Sequence, residues 1–508
     1  MQIGPNTSTL IDGWLEAGRG SEMALITGDD QPWTAEELYA AVCNVAARLA
    51  EAGVRREDRI LMVLDDTPAF PATFLGAMRI GAVPIPTNFL ARPDDFGYFL
   101  DDSEAVAAVV DRVFLEKVGP QVTARPNVKL VVANGDAPDG AESLDEWMAS
   151  AAGDVAPVPT ASDDMAFWLY SSGSTGVPKG VVHRHSAIAA TCSNYAVPVL
   201  GINEEDTAFS STKMFHAYGL GNNLSFPLWS GATSVYMTGR PTPDRVLDRV
   251  RTRRPTLLFS VPALYNGMLA DPGFDDVDWS VVRLGISAAE PLPPEIWRQF
   301  HDRTGIEILD GIGSTEMLHI YVSNRAGAVR PGTSGTSCPG YEVKILNTEG
   351  EPAEVGEPGE MWVSGPSRLL QYWNQPQRNE EKIRDGWFLS GDRYVEDENG
   401  YFTYLGRVDD MMKIGGLWVS PIEIENRLME HEAVHEAAVV SVNIDNRSRI
   451  KAFVILNDGH QGGQDLTAEL QEWCKAALQR YQFPHLVEYV DDFPRTATGK
   501  IQRFKLRE

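Results

Sequence analysis

A loop rich in glycine and hydroxyl side chains is the clearest chemical signal in the sequence. It runs Tyr170-Ser-Ser-Gly-Ser-Thr-Gly-Val-Pro-Lys-Gly180, between the apolar stretch MAFWLY and VVHRH. Glycines let backbone N–H groups turn toward one point and hydroxyls add further donors, so such a loop binds phosphate oxygens. The alternative is a solvated linker, which the preceding strand and the lysine disfavour. Because Gly180 follows Lys179, no hydroxyl stands at the metal-ligand position of a kinase-type P-loop.

Three charged residues further along the chain suit nucleotide chemistry. Glu316 ends GIGSTE, and beside a triphosphate its carboxylate would be a hard oxygen ligand for Mg²⁺. Asp392 follows a Ser-Gly pair, and Lys500 follows a Thr-Gly pair in a basic tail, where glycine permits a tight turn. Each has an ordinary alternative: a solvated glutamate, an aspartate bonded to its own turn, and a solvated tail lysine.

Five blocks of sequence resemble, in their order, the acyl-adenylate-forming superfamily of acyl- and aryl-CoA ligases, luciferases and peptide-synthetase adenylation domains. The blocks are residues 170–180, 311–316, 390–392, 406–410 and 498–500. Within the superfamily, KMFHAYGLGN (213–222) and DGIGSTEMLHIYVSN (310–324) look most like benzoate-type aryl-CoA ligases. The resemblance covers nearly the whole chain. It implies a large N-terminal domain, a small mobile C-terminal domain and an active site between them.

The resemblance also implies a role for individual residues in binding ATP and AMP. Glu316 would bind Mg²⁺, Thr315 would contact a phosphate, and Asp392 would accept hydrogen bonds from both ribose hydroxyls with help from Arg407. Lys500 would bridge the substrate carboxylate and the phosphate in the first half-reaction. Ile312 stands where relatives often carry tyrosine, so its contact with adenine would be apolar. The residues implied to bind ATP or AMP are Ser171, Ser172, Gly173, Ser174, Thr175, Gly176, Lys179, Ala288, Ala289, Glu290, Asp310, Gly311, Ile312, Thr315, Asp392, Arg407 and Lys500.

An aryl pocket, a coenzyme A channel and a hinge follow from the same resemblance. The positions that match those facing the acyl group are His216, Ala217, Tyr218, Gly313, His319 and Ile320. Small residues with one aromatic wall suit a flat ring better than a flexible chain, although either histidine could be an ordinary packing residue. Gly415 and Gly416 would leave room for the pantetheine arm. Asp409 matches the hinge, and its alternative is a solvated aspartate in a charged turn.

Strands that alternate with helices must position these motifs. Residues 34–53 are predicted to form an amphipathic helix, capped by Thr34 with Glu37 three residues later. Residues 59–66, 105–111 and 128–135 are predicted to be buried strands. The alternation continues to about residue 330 and predicts an α/β fold with doubly wound parallel sheets. Hairpin turns such as Glu398-Asn399-Gly400 then predict an antiparallel part, a small barrel, at about residues 330–405.

The last part of the chain is predicted to be a separate α+β domain. Ser420-Pro421-Ile422-Glu423 is a strong helix start, in which serine caps and glutamate completes a capping box. Residues 407–508 hold 13 basic and 16 acidic residues, a net charge of −3, against −24 for the first 406. The predicted division is an N-terminal adenylate-forming domain at 1–406 and a mobile C-terminal domain at 407–508, with the hinge near residue 409.

The composition excludes several classes of protein. A chain of 508 residues exceeds one hydrophobic core, and 43% hydrophobic with 23% charged residues is ordinary globular composition. The net charge of −27 makes nucleic acid and anionic membranes poor partners. Four scattered cysteines indicate a reducing compartment. Without a signal peptide at the start or an apolar run of about 18 residues, the sequence predicts a cytoplasmic protein that does not span a membrane.

These features together predict an AMP-forming acid–thiol ligase. It would activate benzoate or a substituted benzoate as an acyl-AMP and transfer the acyl group to coenzyme A, using ATP and Mg²⁺. One alternative is an adenylation enzyme that loads the phosphopantetheine of a carrier protein. Another is a non-catalytic nucleotide-binding protein, which the presence of Lys500, Glu316 and Asp392 together disfavours. A monomer or a homodimer is expected, and the ring substituents are not specified by the sequence.

Overall fold

The protein is described here by a computed structural model that covers residues 4–171, 177–414, 417–444, 447–495 and 501–507, without the side chains of Asp409, Leu417 and Arg447. The strands are β1 (Met23–Ile26), β2 (Pro32–Thr34), β3 (Arg59–Val63), β4 (Val83–Pro86), β5 (Ala107–Asp111), β6 (Lys129–Ala133), β7 (Glu142–Ser143), β8 (Met165–Ser171), β9 (Lys179–Arg184), β10 (Thr207–Ser210), β11 (Thr233–Val235), β12 (Leu257–Ser260), β13 (Leu284–Ser287), β14 (Ile308–Gly313), β15 (Ile320–Ser323), β16 (Thr336–Ser337), β17 (Glu342–Leu346), β18 (Gly359–Ser364), β19 (Gln371–Tyr372), β20 (Ile383–Arg384), β21 (Trp387–Glu396), β22 (Phe402–Arg407), β23 (Met412–Ile414), β24 (Leu417–Val419), β25 (Val434–Ile444), β26 (Arg447–Leu456) and β27 (Leu486–Tyr489). The α-helices are α1 (Asp12–Glu16), α2 (Ala35–Glu51), α3 (Ala69–Arg79), α4 (Pro93–Ser103), α5 (Leu115–Thr123), α6 (Leu144–Met148), α7 (His185–Thr191), α8 (Val197–Leu200), α9 (Ala217–Leu220), α10 (Phe226–Ser230), α11 (Pro243–Arg253), α12 (Pro262–Ala270), α13 (Pro294–Thr304), α14 (Pro376–Lys382), α15 (Pro421–Met429) and α16 (Gln464–Ala477).

Two sheets with parallel strands form the body of the molecule. Among the described residues, the larger has the order β16-β15-β14-β13-β12-β10-β11-β1-β2, and its strands from β14 to β1 are parallel. The smaller has the order β4-β3-β5-β6-β7 and is parallel throughout. Both faces of a parallel sheet are covered by helices, which is why β3 and β5 are continuous apolar runs. The predicted doubly wound α/β fold is confirmed.

The two faces of each sheet belong to different hydrophobic cores. Along β3, Ile60 and Met62 join the core that also contains α2 and α3, whereas Leu61 and Val63 join the core that contains α4. Because β12 and β13 contribute to the first core as well, α2 and α3 lie between the two sheets. Helix α2 begins at the predicted cap, and Thr34 and Glu37 form the full capping box.

Two further sheets are antiparallel. Strands β8 and β9 form a hairpin whose loop is the glycine-rich segment, and β19 pairs with β9 on its other side. Strands β17, β18, β20, β21 and β22 form a second antiparallel sheet, in which the predicted turn at residues 398–400 joins β21 to β22. This sheet matches the stretch predicted to be antiparallel, at about residues 330–405, except that its last strand continues to Arg407.

The C-terminal part has a core of its own, formed by β23–β26 with α15 and α16. Ser420 caps α15 as predicted, accepting a hydrogen bond from the Glu423 backbone N–H at 3.3 Å. The Glu423 carboxylate does not complete the capping box; it accepts a hydrogen bond from Gln482 Nε2 at 2.6 Å, so a tertiary partner replaces the local one. In the part of the chain that the structure describes, no helix is long and apolar enough to span a bilayer.

Candidate active site

A short 3-10 helix, Thr315–Met317, follows β14 and is held from two sides. His183 of β9 donates from Nε2 to the Thr315 carbonyl oxygen at 2.8 Å, and the Leu369 N–H donates to the Glu316 carbonyl oxygen at 2.6 Å. Burial lowers the pKa of His183 to about 4, so the ring is neutral at physiological pH and carries its proton on Nε2. We name this helix together with β9 and β19 the phosphate floor.

The Glu316 carboxylate and Lys179 lie on this floor. Tyr372, at the end of β19, donates its hydroxyl to Glu316 Oε1 at 2.9 Å. Lys179, at the start of β9, is buried, and burial together with the positive charge of Arg378 lowers its pKa to about 8. Ser171 pairs directly opposite Lys179 across the β8–β9 hairpin, so the two described ends of the glycine-rich loop face each other. A cation, a carboxylate and the ends of a phosphate-type loop therefore meet at one place.

Asp392 and Arg407 form a second part of the site. They are directly opposite residues of β21 and β22, and Arg407 Nη1 lies 3.0 Å from Asp392 Oδ1. Burial by itself would lower the pKa of Arg407. The nearby Asp392 carboxylate has the larger combined effect, so the pKa of Arg407 is raised above its usual range. Gly391 precedes Asp392 and has a φ of +74°, a left-handed backbone conformation that suits glycine. The resemblance implies that both residues bind the ribose. The structure shows that their side chains are in contact.

The segment after β13 and the strand β14 hold further residues that the resemblance implies to bind ATP or AMP. Ala288 is buried, and Ala289 has a φ of +79°, a strained backbone for a residue with a Cβ. Asp310 is buried beside them; burial raises its pKa to about 8, against hydrogen bonds such as that from the Leu292 N–H at 3.2 Å. Glu290 Oε1 accepts a hydrogen bond from the Ile501 N–H at 3.2 Å, so the C-terminal tail reaches this edge.

The hairpin β14–β15 leads from this edge to a buried, mainly apolar cluster. Gly313 pairs with Ile320 across the hairpin, and His319 is buried next to that pair. The His319 ring lies 5.4 Å from the Tyr218 ring, and its Nε2 lies 3.3 Å from the Tyr218 carbonyl oxygen. Burial lowers the pKa of His319 to about 3, so this histidine is neutral. Ala217 opens α9 directly before Tyr218.

Further residues of this cluster were not identified from the sequence. Asn222 Oδ1 lies 3.1 Å from His319 Nε2, and the Phe226 ring lies 4.5 Å from the His319 ring. Gly221 is required there, because a Cβ would lie 2.4 Å from His319 Cδ2. The block KMFHAYGLGN already contained Gly221 and Asn222, so their place in that block was the available signal. His216 lies against Phe215, with ring centroids 4.3 Å apart.

Several predicted site residues lie outside the described residues. These are Ser172, Gly173, Ser174, Thr175 and Gly176 of the glycine-rich loop, Gly415 and Gly416 of the coenzyme A channel, and Lys500. Asp409 belongs to a described 3-10 helix, Val408–Asp410, but its side chain is outside the described set. Gly311 and Ile312 lie in β14, where Gly311 pairs with Ser323 and Ile312 packs on the core.

Comparison with known proteins agrees with this geometry. The sequence profile of the AMP-binding enzyme family matches residues 15–373, and that of the AMP-binding enzyme C-terminal domain matches residues 423–500. The chain belongs to the AMP-binding enzyme family. The predicted superfamily and the prediction of an enzyme are thereby confirmed.

Individual relatives resemble the chain over almost its full length. A benzoate–CoA ligase of Thauera aromatica is 45% identical over 502 residues, which cover 98% of this chain and 94% of that protein. The crystal structure of a benzoate CoA ligase from Burkholderia xenovorans LB400 matches with a TM-score of 0.92 and 41% identity, covering 99% of this chain and 100% of that one. The anthranilate CoA ligase AuaEII in complex with anthranoyl-AMP matches with a TM-score of 0.95 and 33% identity, covering 100% and 97%.

Proposed function

We propose that this enzyme activates an aromatic carboxylic acid of the benzoate type with ATP and transfers the acyl group to coenzyme A. The observation that carries the proposal is the continuity of the hairpin β14–β15. Glu316, just after β14, belongs to the phosphate floor, whereas Gly313, His319 and Ile320 belong to the apolar cluster beside Tyr218. The proposal therefore places a polyanion site and a site for a ring at the two ends of one hairpin.

The first half-reaction joins the acid to the α-phosphate. A carboxylate oxygen attacks the α-phosphorus, the bond to the bridging oxygen of the β-phosphate breaks, and pyrophosphate leaves with the electron pair. Lys179, Thr315 and Ser171 to Gly176 are proposed to bind the phosphates, while Asp392 and Arg407 hold the ribose. Lys500 is proposed to neutralise charge between carboxylate and phosphate. Such catalysis rests on positioning and charge neutralisation.

The adenine is proposed to lie along Ala288, Ala289 and Glu290, with Gly311 and Ile312 beside it and Asp310 near its polar edge. The buried Asp310 carboxyl suits an amino group, and the strained backbone at Ala289 fits a site shaped for close approach of a ligand.

Mg²⁺ is proposed to bind Glu316. No cluster of three His, Cys, Asp or Glu side chains that could hold a metal occurs among the described residues. A lone carboxylate on the phosphate floor fits an ion that takes its other ligands from substrate phosphates and water. When bound, Mg²⁺ supplies neutralisation of phosphate charge, while the Tyr372 hydroxyl holds the carboxylate that meets it.

The second half-reaction is proposed to use another face of the C-terminal domain. Residues 1–406 and 407–508 are proposed as the two domains, with Asp409 as the hinge about which a few backbone torsions rotate the smaller one. Rotation would remove Lys500 and bring Gly415 and Gly416 to a channel for the pantetheine arm. The thiolate of coenzyme A then attacks the acyl carbon and AMP leaves.

An aromatic acid is the proposed substrate because the side chains around His319 are small, apolar or aromatic. Ala217, Gly313 and Ile320 are small or apolar, Tyr218 is aromatic, and the neutral histidine adds no charge. Free coenzyme A is the proposed acceptor, in keeping with the relatives named CoA ligases. The four cysteines are buried and unpaired, which suits the proposed cytoplasmic location.

Pyrophosphate exchange into ATP, screened over benzoate and its hydroxy, amino and halo derivatives, tests the proposal. We expect exchange with at least one aryl acid, and aryl-CoA and AMP in equal amounts once coenzyme A is added. Exchange without thioester formation, but with loading of a phosphopantetheinyl carrier protein, would identify the carrier protein as the acceptor. Absence of exchange with every aryl acid would leave a non-catalytic nucleotide-binding protein.

A further inference from the structure

Helix α14 carries two cations toward the phosphate floor that no motif of the sequence identified. Arg378 and Lys382 are four residues apart, which places them on the same face of the helix. Both are partly buried rather than fully solvated. The helix is tied to β19 by two hydrogen bonds of Asn379, which donates to the Tyr372 carbonyl oxygen at 3.1 Å and accepts from the Tyr372 N–H at 2.7 Å. Since β19 pairs with β9, the helix is fixed relative to Lys179.

Arg378 lies at the side of the floor that holds the carboxylate. Its guanidinium carbon is 5.6 Å from the centre of the Tyr372 ring, and the hydroxyl of that ring donates to Glu316 Oε1 at 2.9 Å. The positive charge of Arg378 is also the largest electrostatic influence on Lys179, after the effect of its burial. Arg378 therefore faces the same small volume as Glu316 and Lys179.

Lys382 lies at the other end, near Asp392 and Arg407. A Cβ built on Gly391 would be 3.5 Å from Lys382 Nζ and 3.0 Å from Arg407 Nη2, so the two cations flank one glycine. Lys382 and Arg407 both lower the pKa of Lys179, behind burial and Arg378. The space between Glu316 and Asp392 is thus bordered by four cations: Lys179, Arg378, Lys382 and Arg407.

Positive charge is concentrated here although the chain as a whole is acidic. The chain carries a net charge of −27, yet the described residues supply no salt-bridge partner for Lys179, Arg378 or Lys382. Like charges held together in a partly buried place cost free energy unless an anion joins them. A ligand with several negative charges, at the position of the terminal phosphates of ATP, would balance Lys179, Arg378 and Lys382, since Asp392 already pairs with Arg407.

We propose that Arg378 and Lys382 bind the β- and γ-phosphates of ATP and neutralise the pyrophosphate as it leaves. This inference rests on the proposed function. When the α-phosphorus–oxygen bond breaks, one further negative charge develops on the leaving group, and two cations aimed at it lower the barrier. Neither residue would contact AMP or the aryl ring, so their contribution ends once pyrophosphate has left.

The test compares Arg378→Gln and Lys382→Gln with Arg384→Gln. Arg384 lies two residues beyond α14 in β20, is exposed, and faces the Trp362 ring at 6.0 Å, so it gives the same change of charge away from the floor. For Arg378→Gln we expect kcat/KM for ATP in pyrophosphate exchange to fall about 10- to 100-fold, and for Lys382→Gln somewhat less. Arg384→Gln should remain within about twofold of the wild type.

Binding measurements identify the phosphates concerned. In titration calorimetry, affinity for inorganic pyrophosphate and for a non-hydrolysable ATP analogue should fall by at least about tenfold in both floor variants. Affinity for AMP, and thioester formation from supplied aryl-AMP and coenzyme A, should not change. Arg378→Lys should recover part of the pyrophosphate affinity because it restores the charge.

Three results would overturn the inference. One is unchanged pyrophosphate affinity in variants whose unfolding transitions match that of the wild type. Another is an equal loss of AMP affinity, which would assign the cations to the ribose side. The third is loss of thioester formation alone, which would assign them to coenzyme A. Failure of the wild type to catalyse exchange with any aryl acid would count against the proposed function instead, and pyrophosphate titration of the four proteins would still test the two cations.

Discussion

The phosphate floor and the C-terminal part of the molecule are built in opposite ways. The floor is one continuous piece of the main body: the 3-10 helix Thr315–Met317 receives hydrogen bonds from His183 on one side and Leu369 on the other. The C-terminal part has a separate core, and its buried ion pair joins Arg503 to Glu425 at 2.8 Å, both within that part. The C-terminal part therefore has stabilising contacts of its own.

Several hydrogen bonds join the two regions. Asn266 of α12 lies 3.2 Å from His435 Nε2 of β25, and Ile501 donates to Glu290. Small cavities of about 60 and 80 Å³ are lined by residues of both regions, including Pro291 and Ile422.

The largest effect is expected from the tail. Lys500→Ala should lower the rate of acyl-AMP formation about a thousandfold, because a cation about 4 Å from developing charge contributes roughly 4 kcal/mol at an effective dielectric near 20. Thioester formation from supplied aryl-AMP should be spared. Rapid-quench assays of each half-reaction measure this, with the exposed Lys505→Ala as the control from the same tail. An equal loss in both half-reactions would show that the C-terminal part does not change its contacts between them.

The floor should respond to pH through His183. Its pKa is about 4 in the folded protein, against about 6.5 when unfolded, so the unfolded chain binds more protons between these values. Stability is therefore lost as pH falls through this window. Relative to wild type, His183→Gln should gain up to about 3 kcal/mol in the free energy of unfolding as pH drops from 7 to 4. Urea titrations at pH 7, 5.5 and 4.5 measure the difference; a constant difference would mean that His183 is not held neutral.

A smaller effect is expected from the hydroxyl that holds the proposed metal ligand. Tyr372→Phe keeps the ring that packs under Arg378 but removes the hydrogen bond to Glu316, worth about 1 kcal/mol. The Mg²⁺ concentration for half-maximal exchange should rise about fivefold. Tyr401→Phe is the matched control, since that hydroxyl donates to the Ala328 carbonyl oxygen, away from the floor. Identical Mg²⁺ curves for the two variants would remove Tyr372 from the site.

Features encoded in short segments could be predicted from the sequence, whereas contacts that depend on strand pairing could not. The capping box at Thr34, the turn at residues 398–400 and the order of the five blocks were all visible in short segments. The contact of Tyr372 with Glu316 joins residues 56 positions apart, through the pairing of β19 with β9, and no local pattern announces it. Helix α14 carries charges of both signs, and no motif in its sequence indicates that two of its cations lie near the phosphate floor.

An effect of similar size is expected at the boundary between the two regions. Asn266→Ala removes a contact to His435 that joins the two regions, and an exposed or partly buried hydrogen bond contributes about 1 kcal/mol. If the described arrangement is the one that serves acyl-AMP formation, this variant should slow that step about fivefold and leave thioester formation unchanged.

A double-mutant cycle with His435→Ala makes this test specific. The two substitutions should be non-additive, because each removes the same contact, whereas loss of folding stability alone would act on both half-reactions equally. The direction of the change matters more than its size: a faster second step in Asn266→Ala would mean that this contact must break before coenzyme A can enter. A slower second step would mean that the boundary seen here persists through both reactions, and that the hinge at Asp409 does not operate.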